Sequence, residues 1–132
     1  MLIALSGLLT PGLDKVFTDL GSGDGRVLEA AGRRGVYVVG IEISDYLCRV
    51  SKDRLKRAGV IGDVVQADFY RLPLRRVDVA YMYLWRSIIE RLASVLSEAL
   101  RPGGLIVTLD ASIPWMKPSS VRLIRTSSGI IR

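Results

Sequence analysis

Short apolar runs alternate along the chain with longer runs in which apolar residues recur at helical spacing. The apolar runs predict five buried strands, at 16–20, 36–43, 64–67, 77–84 and 105–109. The amphipathic runs predict helices at 26–31, 45–58 and 87–100, with Ser44 as an N-cap and glycines at the ends. This alternation predicts a doubly wound α/β fold whose sheet is mainly parallel and covered by helices on both faces.

The two ends of the chain carry weaker patterns. Near the carboxyl end, 121–125 and 130–132 predict a C-terminal antiparallel hairpin across a turn at 126–129. The apolar opening, 1–9, is too short for a membrane-spanning helix, which needs about 20 residues. We interpret it as part of a helix on the core and predict no membrane span. The length predicts a single domain, 1–132.

A glycine-rich loop, Asp19 to Gly25, follows the first predicted strand. Glycine permits positive φ and close approach of a ligand, and the next helix offers backbone amides to an anion. A dinucleotide site needs the pattern G-x-G-x-x-G, whereas Gly21, Gly23 and Gly25 alternate here with single residues. The loop therefore predicts a ligand other than a dinucleotide, although a tight strand–helix turn without a ligand would also use glycine.

Acidic residues also stand at the ends of the next two strands. Glu42 is near the end of the second strand, where a carboxylate can accept hydrogen bonds from both hydroxyls of a ribose. Asp68 and Phe69 follow the third strand and could supply a carboxylate for an adenine amino group and a ring beside the base. Ligands of such sheets bind beyond the carboxyl ends of the strands, so these residues are expected at one site. A solvated Glu42 and an ordinary surface loop at Asp68 are the alternatives.

Composition narrows the chemistry further. The chain has no histidine and one cysteine, Cys48, which excludes imidazole base chemistry, histidine metal ligands and an internal disulfide. We therefore expect no metal and a reducing, cytoplasmic location. The net charge of +6 suits nucleic acid or an acidic partner, but it also suits simple solubility. The absence of asparagine resembles the composition of thermophile proteins.

Together, the loop, Glu42 and Asp68 resemble the motifs of class I methyltransferases, which use S-adenosylmethionine (SAM) and have a Rossmann-like fold. The resemblance covers nearly the whole chain, and the sequence at 101–105 is similar to the turn before their fifth strand. It implies SAM as cofactor, with its amino acid part near the loop, its ribose on Glu42 and its adenine between Ile43 and Phe69. The implied cofactor-binding residues are Asp19, Leu20, Gly21, Ser22, Gly23, Asp24, Gly25, Glu42, Ile43, Asp68 and Phe69.

The segment after the fourth strand, 83–87, is expected to face the methyl acceptor. It lacks both the Pro-Pro tetrapeptide of enzymes that methylate planar amines and the cysteine used for cytosine. Methyl transfer needs alignment more than acid–base groups. The rings of Tyr83 and Trp85 can hold an aliphatic amine and its methylated cations. They are our candidate catalytic residues, although both side chains could instead pack in the core or at its rim.

The segment from Asp78 to Pro118, with 79–85, the amphipathic helix, Arg-Pro-Gly-Gly and 113–118, is similar to a small archaeal family of protein-lysine methyltransferases. Relatives of that family methylate a lysine on the c subunit of mitochondrial ATP synthase. This resemblance implies a protein substrate with exposed lysines. An RNA methyltransferase is an alternative, for which Arg75, Arg76 and Arg86 are the candidate RNA-binding side chains. A SAM-binding subunit that needs a partner for activity is another, because little sequence precedes the first strand.

Overall fold

The computed structural model describes residues 12–75, 77–121, 123–126 and 129–131. Within these ranges a five-stranded sheet, all parallel, has the order β3-β2-β1-β4-β5. Its strands are β1 (Gly12–Leu20), β2 (Val36–Glu42), β3 (Gly62–Gln66), β4 (Val77–Met82) and β5 (Leu100–Thr108). The helices between them are α1 (Arg26–Gly32), α2 (Asp45–Ala58) and α3 (Arg86–Ala99). The predicted α/β fold is confirmed, while the predicted helix at 1–9 lies outside the described residues.

Apolar side chains cover the sheet on both faces, because successive strand residues point to opposite sides. On one face the strands pack on α1 and α2, and this core includes Phe17, Leu28, Val38, Leu55 and Val79. On the other face they pack on α3, and this core includes Leu20, Ile41, Met82, Ile89 and Leu92. With both faces covered, the sheet can meet a ligand only at its ends or edges.

Helix α2 begins and ends where its sequence predicts. The Ser44 hydroxyl accepts a hydrogen bond from the amide of Leu47 at 3.2 Å. Gly59 ends the helix with a left-handed φ of 67°. Both devices satisfy backbone groups that helix ends leave unpaired. The helix therefore starts directly after β2, and its first turn lies beside Glu42.

The sequence at 101–104, which predicts a turn before the fifth strand, is a bulge inside β5. Leu100 pairs with β4 before the bulge, and Leu105 resumes the pairing after it. Gly103 has a φ of 80°, a conformation that glycine adopts without strain. The strand is consequently longer than predicted, because its pairing with β4 continues on both sides of the Pro-Gly-Gly sequence.

Other strand bounds differ from the prediction by a few residues. β1 begins at Gly12, β3 covers Gly62–Gln66 and β4 ends at Met82. The last difference matters for the site, because it places Tyr83 and Leu84 beyond the end of the sheet. In the described ranges, no helix has the length and apolar character needed to cross a membrane.

Helix α3 buries the face that its large apolar residues predict, except at one position; those residues are Ile88, Leu92, Val95, Leu96 and Leu100. Val95, which has the expected spacing, is 49% exposed, whereas the small Ala93 is fully buried. The buried stripe is Ile89, Leu92, Ala93 and Leu96. A small side chain at Ala93 lets the helix lie close to the sheet, and Val95 then points toward solvent.

Two short strands near the carboxyl end, β6 (Ile124–Thr126) and β7 (Gly129–Ile131), pair antiparallel with each other. They form a sheet of their own and do not extend the main sheet. Thr126 pairs with Gly129, so the connection is shorter than the turn predicted at 126–129. The main sheet is therefore parallel throughout the described residues.

The two faces of α3 allow a matched test of the core. Leu92→Ala should lower the free energy of unfolding by about 2–5 kcal/mol, because it leaves a cavity beneath the sheet. Val95→Ala, on the exposed side of the same helix, should cost less than about 1 kcal/mol. Urea denaturation measures both values. Equal costs for the two variants would contradict the observed orientation of α3.

Candidate active site

The glycine loop after β1 turns tightly over the end of β2. Gly21, Gly23 and Gly25 have φ values of 80°, 57° and 84°, in the left-handed region that favours glycine. The amides of Gly21 and Ser22 both donate to the carbonyl of Ile41, at 2.8 and 3.1 Å. These bonds hold the loop against the second strand.

The three loop glycines differ in what surrounds them. A Cβ on Gly25 would lie 2.6 Å from the Cβ of Ser51 on α2, and one on Gly21 would lie 3.1 Å from the Leu84 side chain. A Cβ on Gly23 would have no neighbour within 4 Å. Gly21 and Gly25 therefore contact the protein, whereas Gly23 faces open space through which a ligand can reach the backbone.

Glu42 connects this loop to β2 and α2. Its side chain is buried. One carboxylate oxygen, Oε1, accepts a hydrogen bond from the amide of Gly23 at 3.0 Å, and Oε2 accepts one from the amide of Ser44 at 2.8 Å. A carboxylate offers about four acceptor positions. Each oxygen can therefore accept a further hydrogen bond, for example from a ligand hydroxyl.

Asp19 lies at the end of β1 and is only 3% exposed. Burial, and then the negative charge of Glu42, raise the pKa of Asp19 to about 7. Burial and the charge of Asp19 in turn raise the pKa of the Tyr81 hydroxyl on the neighbouring strand. A positively charged ligand group beside Asp19 would favour its ionised form. The carboxylate is thus suited to meet a cation.

The side chains of other predicted loop residues lie against the protein, and the buried hydroxyl of Ser22 has no hydrogen-bond partner within the described part of the chain. Leu20 is fully buried in the core, and the buried Ser22 hydroxyl lies against Gly40 of β2. Asp24 forms an ion pair with Arg26 at 2.7 Å, and the hydrogen bond from Arg26 holds the pKa of Asp24 below its usual range. These side chains shape the loop and its junction with α1.

The segment after β3 approaches the loop from the other side. The Phe69 ring would lie 3.8 Å from a Cβ on Gly21. Ile43, after β2, is largely exposed. Asp68 uses one carboxylate oxygen within its own turn, where it accepts a hydrogen bond from the amide of Tyr70 at 2.9 Å. The structure therefore brings Phe69 to the loop and leaves the face of Ile43 uncovered.

A groove of about 1200 Å³ runs along β5 and past the carboxyl ends of β4 and β5. Tyr83 and Trp85 line it and are 63% and 82% exposed, so neither ring packs in the core. The buried Tyr81 also lines this groove, and its backbone pairs with that of Asp19. The groove and the carboxylate of Asp19 therefore lie on either side of the end of β4.

The segment after β5 forms the other wall of the groove. The amide of Leu109 donates to the carbonyl of Met82 at 3.2 Å, and Ile113 is buried in the core beneath α3. Asp110 has a φ of 59°, which is uncommon for a residue with a side chain. Trp115 is exposed. The Ile-Pro-Trp element is thus anchored by its isoleucine and presents its tryptophan to solvent.

Two residues of α2 that the sequence pattern does not single out, Ser51 and Arg54, support the loop. Ser51 lies under Gly25, and Arg54 donates hydrogen bonds to the Asp24 carbonyl at 3.1 Å and to Glu29 at 3.2 Å. Arg54 belongs to a run of charged residues typical of a solvated helix face. Its position one turn after the small Ser51 is the signal that could have indicated a contact with the loop.

Comparison with known proteins relates this site to methyltransferases. The profile of the ANTKMT methyltransferase domain matches residues 19–120. A protein-lysine N-methyltransferase of Saccharolobus islandicus is 30% identical over 112 residues, which cover 82% of this chain and 70% of that protein. The adenine nucleotide translocase lysine N-methyltransferase of Mus musculus is 29% identical over 106 residues, which cover 78% of this chain and 46% of that protein.

Solved structures show the same architecture. An RNA methyltransferase from Salinibacter ruber, in complex with S-adenosyl-L-homocysteine, superposes with a TM-score of 0.84 at 29% identity. The match covers 98% of this chain and 86% of that one. S-Adenosyl-L-homocysteine is what remains of SAM after methyl transfer, so this neighbour binds a SAM-derived ligand in the same fold.

The pKa of Asp19 predicts a pH-dependent stability. Between its unfolded pKa near 4 and its folded pKa of about 7, only the folded chain holds the proton, so stability falls as pH rises through this interval. The loss is at most about 1.4 kcal/mol per pH unit. Asp19→Asn removes this titration. The variant should be more stable than the wild type at pH 8, and its stability advantage should be much smaller at pH 5. Urea denaturation at both pH values measures the difference, and an equal difference at the two would contradict the raised pKa.

Proposed function

Because the chain belongs to the ANTKMT methyltransferase domain family, we propose that it transfers a methyl group from SAM to lysine side chains of proteins. The relatives from Saccharolobus islandicus and Mus musculus, both lysine N-methyltransferases, support this acceptor. The observation that carries the proposal is the position of two sites side by side. Leu84, which would lie 3.1 Å from a Cβ on Gly21 of the loop, lines the groove together with the exposed Tyr83 and Trp85.

The residues around the loop fit SAM. The backbone at Gly23 is open to a ligand, and Glu42 keeps acceptor positions for the ribose hydroxyls. The buried carboxylate of Asp19 would pair with the amino group, and Ile43 and Phe69 would flank the adenine. When bound, SAM supplies a methyl group on a positively charged sulfur.

In the acceptor groove, the lysine amine must lose a proton and be aligned with the methyl group. A lysine ammonium has no lone pair, and its pKa near 10.4 makes deprotonation at pH 7 cost roughly 4.6 kcal/mol. The chain has no histidine to take the proton, and a carboxylate base would stabilise the ammonium. We infer that the proton leaves to solvent. Beside a positively charged sulfur the ammonium form of the lysine is disfavoured, and the rings of Tyr83 and Trp85 would align the neutral amine.

RNA is the second candidate acceptor, because the Salinibacter ruber neighbour is an RNA methyltransferase. The exposed Trp85 stands next to Arg86, and such a pair could stack on a base and bind a phosphate. Arg86 also forms an ion pair with Glu90 at 3.1 Å, which offsets its charge. Of the other candidate arginines, Arg75 is exposed and Arg76 lies outside the described residues.

Transfer of a labelled methyl group from SAM to a cell extract tests the proposal directly. We expect the label to survive nuclease, to be lost to protease, and to appear as methyllysine after acid hydrolysis. Label that is removed by nuclease would identify RNA as the acceptor. A purified chain that binds SAM but labels neither would indicate a subunit that needs a partner.

The lysine mechanism predicts a steep pH dependence. At saturating SAM, where chemistry limits the rate, activity on a lysine substrate should rise about tenfold per pH unit until the pKa of the bound amine is reached. Saturating SAM keeps the titration of Asp19 from entering the rate through cofactor binding. A rate that stays flat between about pH 6 and pH 9 would contradict a lysine acceptor.

Valine variants of two glycines with similar backbone conformation distinguish an effect on SAM binding from an effect on folding. Gly23 and Gly59 have φ of 57° and 67°, and a Cβ on either would have no neighbour within 4 Å. Substitution by valine should therefore strain both sites to a similar degree. Gly23→Val should weaken SAM binding at least tenfold, because the side chain fills the space that the ligand needs. Gly59→Val should leave binding unchanged. Titration calorimetry measures both, and normal binding by Gly23→Val would remove this glycine from the site.

A further inference from the structure

We propose that Arg54 is a positioning residue that sets the affinity for SAM by holding the glycine loop in its binding conformation. This inference rests on the proposed function, because it assumes that the loop binds SAM. Arg54 lies on α2 and is placed to touch the loop and α1, but not the open face of Gly23.

The guanidinium of Arg54 connects α2 to two other segments. Its Nε donates to the carbonyl of Asp24 at 3.1 Å, and its Nη1 donates to Oε2 of Glu29 on α1 at 3.2 Å. Its Nη2 lies 3.9 Å from the Asp24 carboxylate. A guanidinium is planar and permanently charged, so it can hold several acceptors in one fixed arrangement. A lysine ammonium would keep the charge but lose this geometry.

The contact with Asp24 fixes one particular peptide group. Arg54 holds its carbonyl oxygen, and the amide of Gly25 on the other side of the same peptide donates to the carbonyl of Ser22 at 3.1 Å. The peptide between Asp24 and Gly25 is therefore bound at both ends. The peptide between Gly23 and Asp24 directly precedes this one, so holding Asp24 in place limits how the open backbone of Gly23 can turn toward a ligand.

Packing limits the loop from below at the same place. Ser51 is fully buried one turn before Arg54, and its Cβ lies where a side chain at Gly25 would begin. The Ser51 hydroxyl donates to the carbonyl of Leu47 within α2 at 2.9 Å, so this bond does not tie it to the loop. Ser51 supplies the surface on which the loop rests, and Arg54 supplies the polar tie that holds it there.

A loop that is already ordered costs the ligand no ordering free energy, so the hydrogen bonds of Arg54 should raise the affinity for SAM. Arg54→Met keeps the aliphatic stem and removes the guanidinium. We expect the dissociation constant and the KM for SAM to rise roughly tenfold or more, with little change in kcat at saturating SAM. Arg54→Lys should fall between Arg54→Met and the wild type.

Arg57→Met is the matched control on the same helix. Arg57 is exposed and pairs with Asp53 of α2 at 2.9 Å, one turn before it. The control should leave the KM for SAM unchanged. Equal SAM affinity in Arg54→Met and Arg57→Met would overturn the proposal, as would a fall in kcat with an unchanged KM.

A second pair of variants covers the case in which Arg54→Met does not fold. Glu29→Gln weakens one of the two hydrogen bonds of Arg54. It should raise the KM for SAM by a smaller factor than Arg54→Met does. Arg33→Met breaks the ion pair of Glu29 with Arg33 alone, at 3.1 Å, and should not change the KM. Equal KM values in these two variants would also overturn the proposal. If the folded wild type fails to bind SAM, the proposed function itself is wrong.

Discussion

A buried carboxylate is costly unless hydrogen-bond donors surround it, and Glu42 takes two donors from the backbone. One is the amide of Gly23 in the loop after β1, and the other is the amide of Ser44 at the start of α2. A single side chain thus fixes two connections against the end of β2. Because α2 starts there, its later turns lie under the loop at Gly25. Asp19 is next to the last residue of the adjacent strand, and its carboxylate shares the same buried region.

The order of strands and helices could be predicted because burial on both faces leaves a periodic trace in the sequence. The capping residues Ser44 and Gly59 also allowed the two ends of α2 to be predicted. The bulge at 101–104 could not be predicted, since a Pro-Gly-Gly sequence marks an interruption without telling whether pairing resumes with the same neighbour. The exposure of Val95 on α3 could not be predicted for a related reason. The fit of the small Ala93 against the sheet, rather than the size of Val95, sets the rotation of that helix.

The site was predictable to the extent that parallel topology determines it. Strand ends must meet at one edge of the sheet, so the loop, Glu42 and Phe69 come together as expected. Which of these side chains can contact a ligand depends on how each is oriented in the folded chain, and this orientation cannot be predicted from the sequence pattern. Asp24 is engaged by Arg26, and Arg54 reaches the loop from what looks like a solvated helix face.

The unequal surroundings of the loop glycines have a consequence for how such genes diverge after duplication. A copy released from its ligand could accept asparagine or aspartate in place of Gly23, since both tolerate a left-handed backbone and nothing in the protein fills the space. Gly25 would stay glycine in that copy for as long as α2 packs beneath it. Paralogues that keep the fold but no longer bind the ligand should therefore show substitutions at the position of Gly23 and retain glycine at the position of Gly25.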